Sequence, residues 1–358
     1  MNILVQLSHP AHFHLYKNVI KNLQADGHKV FILIKSKDIL EELLKAANLQ
    51  YYNILPNYKR KNKFDILWQM VVKDWRILKF CLKHKIDLLT GSTPEAAQIG
   101  WLLRKYSVNL IEDDMAVVPA WEKAAGRFVQ TVVSPEVCNN GKLERKSVKY
   151  NGFQKLAYLH PNYFTPDISV VKKYFSTEKN YFLLRFAKLN AYHDSGIDGI
   201  STEIAENIIK ILEKKGNIYI TSERELEPQF ERYRLNINPL DIHHIMAFAK
   251  MYIGDSQSMA VEAAMLGVPS IRFNDFAGRI GVLEELEQKY RLTFGIKSDE
   301  PEKFYKMVEN LLDMPDLSEI FQTRRQKMLS EKIDVTEFLT WFFENYPTSK
   351  LEINHTIK

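Results

Sequence analysis

Short apolar runs alternate with amphipathic stretches along the first 160 residues. The runs have the length of buried β-strands, and the stretches between them repeat their apolar positions at α-helical spacing. Strands are predicted at residues 2–7, 29–34, 51–55, 86–90, 108–111 and 147–150. Strand–helix–strand repetition implies parallel pairing with right-handed crossovers. The first part of the chain therefore predicts an α/β domain.

The alternation stops at residues 161–178, which contain two prolines and no periodic apolar pattern. We interpret them as a linker. The alternation then restarts, with strands predicted at 181–186, 217–221 and 251–253 and a further strand from residue 270. Helices are predicted at 202–214, 239–249, 281–290 and 301–312.

The predicted organisation is an N-terminal domain at 1–160, the linker at 161–178 and a C-terminal domain at 179–333. The last segment, 334–358, starts as a strongly aromatic helix that must dock, and we expect it to pack back on the N-terminal domain. The fold class is α/β, with two Rossmann-like domains facing a cleft. Open parallel sheets bind ligands at the carboxyl ends of their strands.

Composition narrows the classes of function. The chain has 358 residues, a formal net charge of +5 and two distant cysteines, Cys81 and Cys138. So small a charge favours no nucleic-acid partner, and such cysteines fit neither a disulfide framework nor a metal cluster. No charged leader precedes the first strand, and no apolar run is long enough to span a bilayer. We expect a cytoplasmic protein.

The stretch 58–85 permits two interpretations. A basic segment precedes a helix whose apolar face includes Trp68 and Trp75. A basic, aromatic helix can lie on an anionic membrane surface, which predicts peripheral membrane contact. The alternative is a helix packed on the sheet after a solvated charged loop.

The densest set of candidate binding residues follows one apolar strand of the second domain. The turn Asp255-Ser256-Gln257-Ser258 opens a helix. Backbone amides and the positive end of the helix dipole converge there, which favours a phosphate. Glu262 lies further along this helix, within reach of a sugar hydroxyl beside that phosphate. The alternative is an ordinary strand–turn–helix with a serine N-cap and Glu262 on a solvated face.

Three histidines, His9, His12 and His14, follow the first strand. A histidine suits general-base catalysis because its pKa lies near neutrality. His12 fits best, since it lies beside a helix N-terminus at the carboxyl end of a strand, while His9 and His14 compete for the role. The alternative is a set of hydrogen-bonded core histidines.

The acidic run Glu112-Asp113-Asp114 follows the strand at 108–111 and so also lies at a carboxyl end. We name Glu112 as a candidate catalytic carboxylate. Consecutive acids can bind a divalent ion, but they more often cap helices or face water, and we predict no metal site.

Adjacent histidines, His243 and His244, fall on the predicted helix 239–249. Neighbouring positions on a helix point about 100° apart, so the pair cannot chelate one ion. We expect His243 to face the surface.

Several motifs together carry a resemblance to known families. The helix start at 238–242, the turn at 255–258, Glu262 and the stretch 266–269 are similar to the nucleotide-binding half of the non-hydrolysing UDP-N-acetylglucosamine 2-epimerases. Both glycines of the epimerase turn are replaced here.

The front of the chain resembles an uncharacterised bacterial and archaeal family of the glycosyltransferase-B superfamily. The shared elements are the turn at 10–14, the stretch 150–159, and a loop with Arg185-Phe186 and residues 191–194. His12 also matches the turn histidine of the lipid II N-acetylglucosaminyltransferase.

The resemblance implies the glycosyltransferase-B fold, with the second domain holding a nucleotide-sugar. By carry-over, Ser256 and Ser258 would meet the diphosphate, Glu262 would bind the ribose hydroxyls, and the backbone near Leu240 and Ile242 would contact the base. The expected nucleotide-sugar-binding residues are Arg185, Lys188, Leu240, Ile242, Ser256, Gln257, Ser258, Glu262, Asn274 and Arg279.

Four of those residues also permit an interpretation without a ligand. Arg185 and Lys188 follow a strand, and a guanidinium pairs well with phosphate oxygens, but a surface ion pair is the alternative. Asn274 and Arg279 occupy a loop that contacts the donor sugar in the superfamily, and such loop charges are often simply solvated.

The function expected is a metal-independent glycosyltransferase with a UDP-sugar substrate, a glycan or lipid-linked acceptor and no cofactor. A UDP-N-acetylglucosamine 2-epimerase or nucleotide-sugar hydrolase is the first alternative, because Glu112 falls where the epimerases have a catalytic glutamate. Two departures argue against it. The epimerases have a second acid after the previous strand, but Ser92 stands near that place here and Glu95 is displaced from it by about a turn. The epimerases also have a histidine-containing stretch, of which only His193-Asp194 stands nearby here. A non-catalytic sugar-nucleotide-binding protein is the third possibility.

Overall fold

A computed structural model describes residues 1–35, 39–55, 63–187 and 199–356. The chain divides into two compact units. One consists of Met1–Tyr158 together with Ile333–Lys358, and the other of Leu159–Lys332. Each unit is built on a parallel sheet.

The first unit contains a seven-stranded sheet. Its strands are β1 (Asn2–Leu7), β2 (Lys29–Ile34), β3 (Tyr51–Asn53), β4 (Leu88–Gly91), β5 (Tyr106–Leu110), β6 (Thr131–Pro135) and β7 (Ser147–Tyr150). They pair in parallel in the order β3-β2-β1-β4-β5-β6-β7. Because the strands are parallel, the loops after β1, β4 and β5 lie at one edge of the sheet. The strand order reverses between β1 and β4, the position at which such sheets bind ligands.

Helices connect these strands. They are α1 (Pro10–Ala25), α2 (Leu40–Ala46), α3 (Lys63–His84), α4 (Pro94–Leu103), α5 (Pro119–Ala125) and α6 (Leu156–Leu159), and a 3₁₀ turn spans Gly141–Lys146. Leu4 of β1 and Leu89 of β4 are buried in one cluster with Ile77 and Cys81 of α3. Continuous apolar strands of this kind require cover on both faces of the sheet.

The second unit contains a five-stranded sheet. Its strands are β8 (Tyr181–Phe186), β9 (Asn217–Ser222), β10 (Met251–Gly254), β11 (Ser270–Phe273) and β12 (Thr293–Ile296). They pair in parallel in the order β12-β11-β10-β8-β9. The order reverses between β8 and β10, which brings the loops after these two strands together.

The helices of this unit are α7 (Ile168–Lys172), α8 (Thr202–Leu212), α9 (Ile242–Ala247), α10 (Gln257–Met265), α11 (Gly281–Glu284), α12 (Pro301–Leu312) and α13 (Leu317–Glu331). Two 3₁₀ turns span Pro228–Tyr233 and Pro239–Asp241, and a π-helical stretch, Glu285–Lys289, continues α11.

The C-terminal tail returns to the first unit as α14 (Val335–Glu344) and α15 (Thr348–Thr356). The ring of Phe343 in α14 stacks on Tyr16 of α1, with 6.4 Å between centroids. Thr336 Oγ1 donates a hydrogen bond to the Ala157 carbonyl at 2.6 Å. The aromatic face that the sequence left without a partner is thus buried within this unit.

The predicted α/β class with two Rossmann-like domains is confirmed. The strands β6 and β12 were not predicted. Residues 161–178, for which we expected a linker, lie in the second unit and include α7. The expected helix at 281–290 has only one α-helical turn before the π-helical stretch, and the one at 239–249 begins with a 3₁₀ turn. Within the described ranges, no helix is long and apolar enough to cross a membrane.

Candidate nucleotide and acceptor sites

The turn between β10 and α10 has the geometry of an anion site. Ser256 caps α10, with its Oγ accepting the Met259 N–H at 3.5 Å. The amides of Gln257 and Ser258 are the first of the helix, and a helix cannot satisfy its own first amides. They lie at the positive end of the helix dipole, where a negative charge is stabilised.

A buried carboxyl underlies this turn. Asp255 accepts the Ala187 N–H at 2.6 Å and the Ile200 N–H at 3.3 Å. Its backbone carbonyl accepts Asn274 Nδ2 at 2.8 Å. Burial raises the pKa of Asp255 to about 6, although these two amides and the charge of Arg224 act in the opposite direction. Asp255 therefore ties together the segments that follow β8, β10 and β11.

Arg185 lies beside the same turn. It pairs in register with Gly254 of β10, where a Cβ atom would lie 2.8 Å from the Arg185 carbonyl oxygen and 2.9 Å from its Cβ. Only glycine permits this close approach. The Arg185 guanidinium pairs with Glu223, and its buried Nε has no hydrogen-bond acceptor among the described residues.

Glu262, on α10, lies within the protein rather than on a solvated face. It is 7% exposed, and its Oε1 is 3.4 Å from Nε2 of His243, which is 3% exposed. The expectation that His243 faces the surface is wrong, because α9 turns this side chain towards α10. His244 instead accepts the Asp167 N–H through Nδ1 at 3.1 Å.

The side chain of Gln257 is hydrogen-bonded to a buried arginine. Its Oε1 accepts a hydrogen bond at 3.4 Å from Arg272, which is fully buried and also contacts Glu287 at 2.8 Å. Burial lowers the pKa of Arg272, while the nearby Glu287 acts to raise it. A fully buried arginine, paired with the half-buried Glu287, thus supports the first residue of α10.

The remaining residues that were expected to bind the nucleotide-sugar differ in their exposure and in whether the structure describes them. Leu240 and Ile242 are half-buried in the turn before α9 and at its start, and Ser258 is exposed at the start of α10. Arg279 is exposed, with its guanidinium carbon 5.9 Å from the Phe276 ring. Lys188 lies outside the described residues, as do His193 and Asp194.

Asn274 has a different surrounding from the one expected for a sugar contact. It is fully buried, and its Oδ1 accepts the Phe276 N–H at 3.0 Å while its Nδ2 donates to Asp255. These bonds fix the loop after β11.

In the first unit, the three histidines have separate places. His9 is the N-cap of α1 and accepts the Ala11 N–H at 3.2 Å. The Nδ1 of His12 accepts the Ser8 N–H at 3.3 Å and also lies 3.3 Å from the Ser8 Oγ. His14 is buried, and its ring lies 5.1 Å from that of Tyr158. His12 is therefore the half-buried histidine at the edge of the sheet, and His14 lies among aromatic side chains.

Glu112 follows β5 at the same edge of this sheet. Its Oε2 is 2.6 Å from Lys155 Nζ, and its Oε1 accepts the Gln154 N–H at 2.7 Å. Asp114 accepts the Asn139 N–H at 2.6 Å, which joins it to a neighbouring loop. Among the described residues, no group of three or more histidine, cysteine or acidic side chains could hold a metal ion.

Glu95, at the start of α4, is a buried carboxylate that was not among the predicted site residues. It pairs with Lys73 and accepts Gln6 Nε2 at 3.4 Å. Gln6 is the penultimate residue of β1 and is almost fully buried. A polar residue late in a predicted buried strand was therefore the available signal. Lys155 was not predicted as the partner of Glu112 either, because the two residues are far apart along the chain.

Helix α3 packs on the core with one face and exposes apolar side chains on another. Ile77 and Cys81 pack into the core. Val71, Trp75 and Leu82 form an exposed row, with 61%, 52% and 62% of each residue exposed. Side chains 63–70 and residues 58–62 lie outside the described part.

These two parallel-sheet units define the chain as a protein with the glycosyltransferase-B fold. The chain belongs to the family described as "Protein of unknown function (DUF354)", whose profile matches residues 1–279. The resemblance to an uncharacterised family is thereby confirmed, and the similar solved structures confirm the fold. A comparison with curated proteins found no significant match.

Solved structures match nearly the whole chain. The S. aureus MnaA–UDP co-structure has 11% identity and a TM-score of 0.67, over 98% of this chain and 97% of that one. The UDP-GlcNAc 2-epimerase from Neisseria meningitidis bound to UDP-GlcNAc has 13% identity and a TM-score of 0.65, over 95% and 98%. The spinosyn rhamnosyltransferase SpnG complexed with spinosyn aglycone has 13% identity and a TM-score of 0.61, over 95% and 100%. At these identities the likeness establishes the fold.

Proposed function

We propose that the protein is a metal-independent glycosyltransferase that uses a nucleotide-sugar, with UDP as the nucleotide. The observation that carries the proposal is the capped N-terminus of α10 beside Arg185, whose buried Nε has no acceptor among the described residues. A diphosphate would accept from the amides of Gln257 and Ser258 and pair with the guanidinium. It would then take the place of Glu223 in the present ion pair.

The remaining donor contacts follow from the same placement. Glu262 would accept from the ribose hydroxyls, and the backbone at Leu240 and Ile242 would contact the base. Lys188 and Arg279 would add positive charge near the diphosphate and the sugar. Asn274 would act by shaping its loop, because both ends of its amide are already hydrogen-bonded within the protein. Stabilisation of the departing diphosphate by fixed dipoles and a guanidinium requires neither a metal ion nor a cofactor.

His12 would remove the proton from the acceptor hydroxyl. In the structure Nδ1 accepts the Ser8 N–H, which corresponds to a neutral ring with its hydrogen on Nε2. The role of base requires the other neutral tautomer, in which Nδ1 donates to Ser8 Oγ at 3.3 Å and Nε2 carries the lone pair. His14 would support the helix, in keeping with its aromatic surroundings. Glu112 would maintain this edge through Lys155, because both of its oxygens have partners.

The acceptor would be a glycan or a lipid-linked glycan, as in polysaccharide biosynthesis, in the cytoplasm or at its membrane surface. The exposed row of α3 supports a peripheral membrane contact, since Arg76, Lys79, Lys83 and Lys85 are exposed near it. Basic and apolar groups together favour an anionic interface.

Epimerisation or hydrolysis of a UDP-sugar is the second candidate. One observation favours it: Glu95 and Glu112 follow the adjacent strands β4 and β5, so two carboxylates share one edge of the sheet. Glycosyltransferases and epimerases are both among the similar structures. A non-catalytic sugar-nucleotide-binding role is the third candidate.

One incubation series separates these candidates. The protein is first supplied with UDP-N-acetylglucosamine alone, and the mixture is analysed for UDP, free sugar and epimer. It is then supplied with the same donor and with glycan or polyprenyl-phosphate-linked acceptors. A transferase releases UDP only when an acceptor is present. Release of UDP or an epimer from the donor alone would overturn the transferase proposal in favour of the second candidate, and an unaltered donor throughout would favour the third.

A further inference from the structure

His243 and Glu262 form a buried pair inside the second unit. His243 lies in α9, early in the segment that follows the 3₁₀ turn, and Glu262 lies in the middle of α10. The imidazole Nε2 is 3.4 Å from the carboxylate Oε1, and side-chain exposure is 4% for the histidine and 9% for the glutamate. The contact therefore joins the segment expected to meet the base with the helix expected to meet the diphosphate.

The pair restrains the carboxylate. An ionised carboxylate that has lost most of its water needs hydrogen-bond donors, and removing one donor is costly. The His243 ring is itself held by Phe164, whose ring lies edge-on at 6.1 Å. A glutamate side chain has three rotatable bonds, so a fixed imidazole nitrogen 3.4 Å from one oxygen limits the directions in which the carboxylate can point.

We propose that His243 is a positioning residue that orients the Glu262 carboxylate towards the ribose hydroxyls and so gives the site its preference for ribonucleotides. The inference rests on the proposed nucleotide-binding function. Because the effect passes through Glu262, loss of His243 weakens binding only of ligands that carry those hydroxyls. The base and diphosphate contacts do not depend on it.

The experiment measures the dissociation constants of UDP and of 2′,3′-dideoxyuridine 5′-diphosphate by calorimetry. The variants are His243→Leu, which removes the donor, and His243→Gln, which keeps an N–H at a similar reach. His244→Leu is the matched control, since the neighbouring ring contacts Phe164 and the Asp167 amide. Circular dichroism verifies the folding of each variant.

In the parent we expect UDP to bind about tenfold more tightly than the dideoxy ligand, which is the size of a hydrogen bond to a charged group. His243→Leu should abolish this difference by weakening UDP alone, while His243→Gln and His244→Leu should keep it. Equal weakening of both ligands, or an unchanged difference in His243→Leu, would overturn the positioning role while leaving the proposed function in place. If His243→Leu does not fold, loss of the difference in His243→Gln would also overturn it. A parent chain that binds neither ligand would refute the proposed function itself.

Discussion

The buried carboxyl of Asp255 makes the stability of the second unit depend on pH. Burial raises its pKa from 3.8 to about 6. Such a rise means that folding favours the protonated over the ionised carboxyl by a free energy of about 3 kcal/mol. The native state therefore binds this proton more tightly than the unfolded chain does. The stabilisation is fully present below about pH 4 and is lost as the pH rises through about 6.

Replacement of Asp255 by asparagine removes this titration and keeps an oxygen for the Ala187 N–H. Between pH 4.5 and 7.5, the free energy of unfolding of the parent should fall by about 2 kcal/mol relative to that of the variant. Urea denaturation at several pH values measures this difference. All five tryptophans lie in the first unit, so tryptophan fluorescence follows that unit and circular dichroism follows both. A parent–variant difference that stays constant across this pH range would refute the reasoning.

Three further changes test other parts of the description. Gly254→Val should lower the free energy of unfolding by about 2 kcal/mol, since a Cβ would lie 2.8 Å from a β8 carbonyl oxygen; an unchanged urea midpoint would contradict this. Lys155→Met should lower the free energy of unfolding by about 3 kcal/mol, because it leaves Glu112 without its cation. Adding Glu112→Gln to this variant should restore most of that free energy, and no restoration would mean that the two residues are not coupled. Trp75→Ser with Leu82→Ser should reduce co-sedimentation with anionic vesicles but not with neutral ones, and equal binding by the parent and the double variant would argue against a membrane contact through α3.

The sequence was most informative where a strand is a continuous apolar run between polar breaks. The strands β1, β2, β7 and β8 have the bounds predicted for them. The strand β6 escaped prediction because it carries Thr131 and Ser134 and ends in a proline. The Thr131 hydroxyl is satisfied by Tyr346 at 2.8 Å, a residue more than two hundred positions away. No local pattern contains that partner.

The candidate site was predictable where it depends on neighbouring residues of the chain. The cap of α10 is a local feature, so Ser256 could be named from four consecutive residues. The partner of Glu262 could not, because the burial of His243 depends on how α9 packs against α10. The same limit applies to Lys155 and Glu112, which are distant in sequence and meet only in the folded unit.

The most direct test of the central claim is a calorimetric titration of the parent chain and of Glu262→Ala with UDP, with Glu302→Ala on the exposed surface of α12 as the control. We expect the parent and Glu302→Ala to bind UDP and Glu262→Ala to bind it at least about tenfold more weakly. Absence of UDP binding by the parent, or equal affinity in Glu262→Ala, would contradict the assignment of this nucleotide to α10.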